Sequence, residues 1–165
     1  MNLQNRMYQV LVITFLSILL LVVCGGYFVE FILHHPPCSL CLLQRVPMIA
    51  SAICLLIHLR EQTLKSLGVC LVSALVGAMI ALRQNSLKFC GGKSMQPVVL
   101  GQTLPFWALL IFAGSMIGIA VLLLLKDSYP FYPVSRGVFR LYFSFLVVVV
   151  IIGAFSVLLD RGFSF

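Results

Sequence analysis

The stretch "VLVITFLSILLLVVCGGYFVEFIL", residues Val10 to Leu33, is apolar almost from end to end. It is long enough to supply the ~20 residues that an α-helix needs to cross the hydrocarbon core of a bilayer. Three further runs of the same kind follow, at Leu67–Leu82, Pro105–Leu125 and Leu141–Leu159. A shorter one, Val46–Leu59, reaches a comparable length if its helix begins near Leu42, which puts Gln44 and Arg45 in the interfacial first turns. The whole chain has the same character. Its 165 residues are 62% hydrophobic and 9% charged, with a mean hydropathy of +1.15. Soluble domains are roughly half apolar and a quarter charged, and no soluble core of this size could absorb so much apolar surface. The sequence therefore predicts an all-α, polytopic membrane protein: a four-helix transmembrane bundle plus a fifth transmembrane helix. Residues 1–165 form one membrane domain in this reading, with 1–125 as the four-helix bundle and 126–165 as an added connection, helix and short tail.

The connections "REQTLK", "RQNSLKFCGGKSMQPVVLGQTL" and "KDSYPFYPVSRG" are too short for a soluble domain. Arg6 before an apolar run, and "LVVCGG" at Leu21–Gly26, invite comparison with a cleaved leader. The run exceeds the ~7–15 residues of a signal-peptide core, and bulky Val23 stands where a small residue is needed before the cysteine, so the segment is expected to stay as a helix. Lys and Arg outnumber Asp and Glu by 11 to 4, but they are scattered at helix ends. That pattern anchors helices at membrane interfaces, and nucleic acid is not an expected partner. With the N-terminus in the cytoplasm, Arg6, Arg60, Lys65, Lys126, Arg136 and Arg140 fall inside, against Arg45, Arg83, Lys88, Lys93 and Arg161 outside. The split is nearly even, but two crossings separate Cys38 and Cys41 from Cys90, so all three share a side in either orientation.

Of the six cysteines, Cys24, Cys54 and Cys70 lie within apolar runs and read as small apolar residues. Cys38, Cys41 and Cys90 lie at or near segment ends. Pro36-Pro37 cannot sit inside a helix, so the second helix is expected to start around Cys38–Leu40, with the Cys-x-x-Cys pair in its first turn. A helix N-terminus favours negative charge, which is the setting of reactive cysteines. Arg45, four residues after Cys41, places a permanent cation on the same face one turn deeper. Zinc, with His34 and His35 as added ligands, would call for two paired clusters, and Cys90 is the only further cysteine on that side; no metal is expected.

The segment Pro37-Cys38-Ser39-Leu40-Cys41-Leu42-Leu43-Gln44-Arg45 closely resembles the signature of the bacterial disulfide bond formation protein B family. Leu104-Pro105-Phe106-Trp107-Ala108-Leu109-Leu110-Ile111-Phe112 looks like the start of that family's fourth helix, and Cys90-Gly91-Gly92 resembles the beginning of its second outer cysteine pair. The resemblance runs from about Val10 to Leu125. It implies a multi-pass protein of the bacterial inner membrane whose redox loops face the periplasm. Such a protein takes electrons from a soluble thioredoxin-fold disulfide oxidase and passes them to a membrane quinone, ubiquinone or menaquinone. By the same resemblance Cys41 faces the quinone, Cys38 is its disulfide partner and Arg45 holds both thiolate and quinone. Gln44 stands beside it in the signature. Arg83 and Gln84, at the outer end of the third helix, are placed to polarise a quinone carbonyl, or in the plainer reading to anchor the interface.

Two departures from the family pattern stand out. Only Cys90 is present where members normally carry two cysteines, so the relay runs either through Cys90 alone or directly into Cys38–Cys41. The fifth helix is an addition. A competing class, a non-catalytic membrane subunit using its cysteines for structural or metal linkage to a partner, rests on the missing fourth cysteine.

Overall fold

The computed structural model describes residues 3–32, 39–61, 63–89, 98–99, 101–126 and 134–162. Five helices account for nearly all of them: α1 (Leu3–Ile32), α2 (Ser39–Glu61), α3 (Leu64–Phe89), α4 (Leu104–Lys126) and α5 (Arg136–Gly162). Each is long and apolar enough to cross a membrane, over Arg6–Ile32, Leu40–Glu61, Leu64–Leu87, Leu104–Leu125 and Arg136–Leu158. The chain is thus an all-α, polytopic membrane protein. α2 does begin beside the Cys-x-x-Cys pair, and it runs on through Pro47. Pro47 removes one backbone donor, a loss that packed membrane helices tolerate.

The helices are longer than their apolar runs because polar first and last turns continue them beyond the hydrocarbon: Lys65 opens α3, and Arg83, Gln84 and Lys88 extend its other end. A small antiparallel ladder joins β1 (Val98–Val99) to β2 (Gln102–Thr103) just before α4. Gly101, at φ 77°, supplies the left-handed backbone that closes this turn. Asn85 ties the end of α3 to this region, donating to the carbonyls of Ala81 at 3.0 Å and Pro105 at 3.2 Å.

α1 to α4 pack in sequence order, and α4 returns to α1. Leu16, Leu19, Leu55, Leu67, Phe112, Ile119 and Leu122 are fully buried between them. In lipid, helices gain little from burying more hydrocarbon, so close packing across small residues holds them together. Cys70, Ala74, Gly77 and Ala81 form such a stripe on α3. A Cβ at Gly77 would overlap the Phe112 ring of α4. Gly77→Ala is accordingly expected to destabilise the bundle by roughly 1–3 kcal/mol, the usual cost of overpacking. Gly77→Ala with Phe112→Leu is expected to recover most of that loss, as measured by thermal unfolding in detergent.

α5 lies outside this bundle, against α1 and α2. Its contacting positions, Tyr142, Leu146, Val149, Gly153 and Ser156, are spaced by four and three residues, a single narrow seam. Along that seam the Tyr142 hydroxyl meets Ser17 Oγ at 2.8 Å, and Gly153 makes room for the Tyr27 hydroxyl. Arg60 of α2 sits 5.6 Å from the centroid of the Phe139 ring. α5 therefore starts beside the end of α2 and runs parallel to α1.

At that same end a buried polar clasp joins three helices. Tyr8 Oη lies 2.7 Å from His58 Nε2, and His58 Nδ1 lies 3.0 Å from Ser66 Oγ. Ser66 Oγ donates to the Thr63 carbonyl at 2.7 Å. Since the single Ser66 proton is spent on Thr63, and the Thr63 carbonyl also lies 3.2 Å from His58 Nδ1, Nδ1–H is the donor on that side, an assignment made from the partners.

Candidate functional site

The other end of the bundle gathers the residues that carry chemistry. Cys41 lies in the first turn of α2, one residue inside the span Leu40–Glu61, and is half-buried. Gln84, near the end of α3 and buried, donates from Nε2 to Cys41 Sγ at 3.3 Å. An amide N–H aimed at sulfur supports negative charge there whenever the sulfur attacks or leaves. Arg83, its neighbour in sequence, is exposed, so of the two α3 candidates it is Gln84 that turns into the bundle against the cysteine.

One turn along α2 from Cys41, Gln44 is buried at 6% exposure, and its Nε2 has no hydrogen-bond partner among the described residues. A buried amide donor left open costs about 1–3 kcal/mol, and a carbonyl oxygen from a bound molecule would satisfy it. Arg45, next in the chain, is held against α1 on three sides. Its Nη1 donates to Glu30 Oε2 at 2.5 Å and its Nη2 to the Gly26 carbonyl at 3.2 Å. Its guanidinium carbon stands 4.4 Å from the Tyr27 ring centroid, a cation–π contact. The second oxygen of Glu30, Oε1, accepts a hydrogen bond from Ser156 of α5.

Cys38 and Cys90, and with them His34 and His35, lie outside the described residues. Cys24, Cys54 and Cys70 are free thiols within the spans; Cys70 is fully buried and donates weakly to the Ser51 carbonyl at 3.6 Å. Sequence reasoning did not find Glu30, Tyr27 or Ser156. For Glu30 a signal existed: it is the only acidic residue inside any of the five apolar runs, and an ionisable residue at membrane depth marks a functional site with a partner. Ser156 carries no such signal.

Quinone is the group the resemblance calls for, and the donor set suits it. An open buried amide on Gln44 and a fixed cation on Arg45 both favour a carbonyl oxygen, and they lie within one turn of the Cys41 sulfur along α2. The chain matches the family described as "Disulfide bond formation protein DsbB" over residues 6–90. That match takes in α1 from Arg6 on, all of α2 and α3, and every site residue expected from the sequence, and it stops before the β-ladder, α4 and α5. No curated protein matches the chain, and no solved structure does.

Proposed function

Because the chain belongs to the disulfide bond formation protein DsbB family, a multi-pass membrane oxidoreductase of disulfide formation, we propose that it oxidises a soluble thioredoxin-fold disulfide oxidase and delivers the electrons to a membrane quinone. The Cys38–Cys41 disulfide takes two electrons from two partner thiols by exchange, forming one disulfide in the partner and releasing two thiols here. Bound quinone supplies the sink, accepting two electrons and two protons in all, so that two thiols become one disulfide with nothing left over. Arg45 and Gln44 hold and polarise the acceptor's oxygen, and Gln84 steadies negative charge on Cys41. Arg83, exposed at the same end of α3, serves the rim of that site. Where Cys90 takes part, its thiolate attacks Cys38–Cys41 to give a Cys38–Cys90 disulfide and a Cys41 thiolate, and the partner's two thiols then reduce Cys38–Cys90 and leave as the partner's disulfide. The site end of the bundle faces the periplasm from the bacterial inner membrane, and residues 1–165 act as one membrane domain.

The observation that carries this reading is the position of Cys41. It sits one residue inside a membrane span, half-buried, with its sulfur held by a side chain of the neighbouring helix. A sulfur placed there can be reached from lipid as well as from water. The test is purified full-length protein given dithiothreitol and a short-chain ubiquinone or menaquinone analogue. Catalytic, dithiol-dependent quinone reduction is expected, and its absence with both analogues would defeat the proposal. Within the same assay, Gln84→Leu is expected to slow turnover about tenfold, the worth of one hydrogen bond to a charged group. Stopped-flow comparison of the two proteins checks it.

A further inference from the structure

We propose that Glu30 is a positioning residue for this reaction and that α5, through Ser156, is part of the quinone-binding machinery. The inference rests on the quinone reading above. Glu30 occupies the last turn of α1, where the helix dipole opposes a carboxylate. Its side chain is only 10% exposed, and that of Arg45 is 13% exposed. A buried ion pair is poor evidence of stabilisation, since well-packed apolar residues serve as well or better. What the pair does supply is direction.

Arg45 brings five N–H donors in a rigid fork on a flexible stem. Glu30 takes one at Nη1, the Gly26 carbonyl takes one at Nη2, and the guanidinium carbon stands over the Tyr27 ring. The remaining donors are thereby fixed in direction before any ligand arrives, which is the preorganisation that electrostatic catalysis requires. Glu30 could not do this if it were free to rotate. Its second oxygen is tied by the Ser156 hydroxyl, and Ser156 is 2% exposed on the one seam by which α5 touches the bundle. The order of contacts is therefore Ser156 to Glu30 to Arg45, from a helix beyond the family match to a residue within it.

The experiment measures quinone KM and kcat for the full-length protein in detergent, with dithiothreitol as donor and a short-chain quinone as acceptor. Glu30→Gln, which keeps the shape and removes the charge, is expected to raise KM for quinone about tenfold. Ser156→Ala is expected to raise it about threefold. The single-turnover oxidation of dithiothreitol by Cys38–Cys41, without quinone, is measured beside it, and a fall there as large as the rise in quinone KM overturns the proposal. In an Arg45→Lys background the same two substitutions add less than twofold, because the fork they orient is gone. Parent protein that reduces no quinone would overturn the functional reading and this proposal together. Parent protein that is active, with quinone KM unchanged in both variants, overturns this proposal alone. Full additivity with Arg45→Lys also overturns it, since Glu30 would then act by another route. If Glu30→Gln fails to fold, Ser156→Ala and its double variant with Arg45→Lys decide the matter on the same criteria.

Discussion

Cys41→Ser is expected to lower dithiol-dependent quinone reduction at least about a thousandfold, the scale on which loss of a covalent nucleophile is felt. Serine is nearly isosteric and can still accept from Gln84 Nε2, so the end of the bundle should stay packed. It cannot form a disulfide, and no other thiol among the described residues could replace it: Cys54 lies more than three turns further along α2, and Cys24 and Cys70 lie within the spans of other helices. On the proposed mechanism the same substitution leaves Cys38 without a disulfide partner. Peptide mapping of the unreduced variant is expected to find Cys38 joined to Cys90, or Cys90 joined to a thioredoxin-fold protein. Retained quinone reduction in Cys41→Ser would refute the mechanism. A thiol at Cys90 that never enters a disulfide, with Cys90→Ser fully active, would route electrons straight into Cys38–Cys41.

Arg45 carries the second large effect, and the structure separates its two consequences. Arg45→Met strips the partner from a carboxylate buried at the end of α1, a change that typically costs 3–5 kcal/mol. It is expected to lower thermal stability and to cut quinone-dependent turnover roughly a hundredfold or more. Arg45→Lys keeps the charge opposite Glu30 but loses the fork that reaches Gly26 and lies over Tyr27; stability should hold while turnover falls about tenfold. Arg45→Met with Glu30→Gln tests the separation, since removing both charges should restore stability and leave turnover low. Equal quinone affinity in the parent, Lys and Met proteins would exclude Arg45 from the site.

What was legible from the sequence is what depends on one segment at a time. Apolar length fixed the five spans, and Pro36-Pro37 placed the start of α2 within a residue or so of Ser39. The one-turn spacing of Cys41 and Arg45 followed from helix geometry. The β-ladder at 98–103 was not foreseen, because two-residue strands have no periodicity to detect. The partners of Cys41 and Glu30 were hidden for a different reason. Gln84 reaches Cys41 from 43 positions away, and Ser156 reaches Glu30 from 126, contacts set by which helix faces meet. From sequence Arg83 and Gln84 stood together at the outer end of α3, with Arg83 preferred for the site. Only the rotation of α3 against α2 turns Gln84 inward and leaves Arg83 exposed. The family match over 6–90 agrees with the signature at Pro37–Arg45, whereas the likeness at Leu104–Phe112 lies beyond the matched residues.

The clasp of Tyr8, His58 and Ser66 bears on insulation between two aqueous phases. Its hydrogen bonds link Tyr8 to His58, and His58 to Ser66 and the Thr63 carbonyl, so three helices are tied together by polar groups that already have partners. Water entering there would have to displace bonds already made, among side chains that are almost wholly buried. His58 is seventeen residues along α2 from Cys41, roughly 25 Å at the rise of an α-helix. Small reductants dissolved on the clasp side therefore face a hydrogen-bonded plug and the length of a packed bundle before the Cys41 sulfur at the far end. Under that arrangement a redox couple at the Cys41 end can be kept far from equilibrium with the opposite compartment.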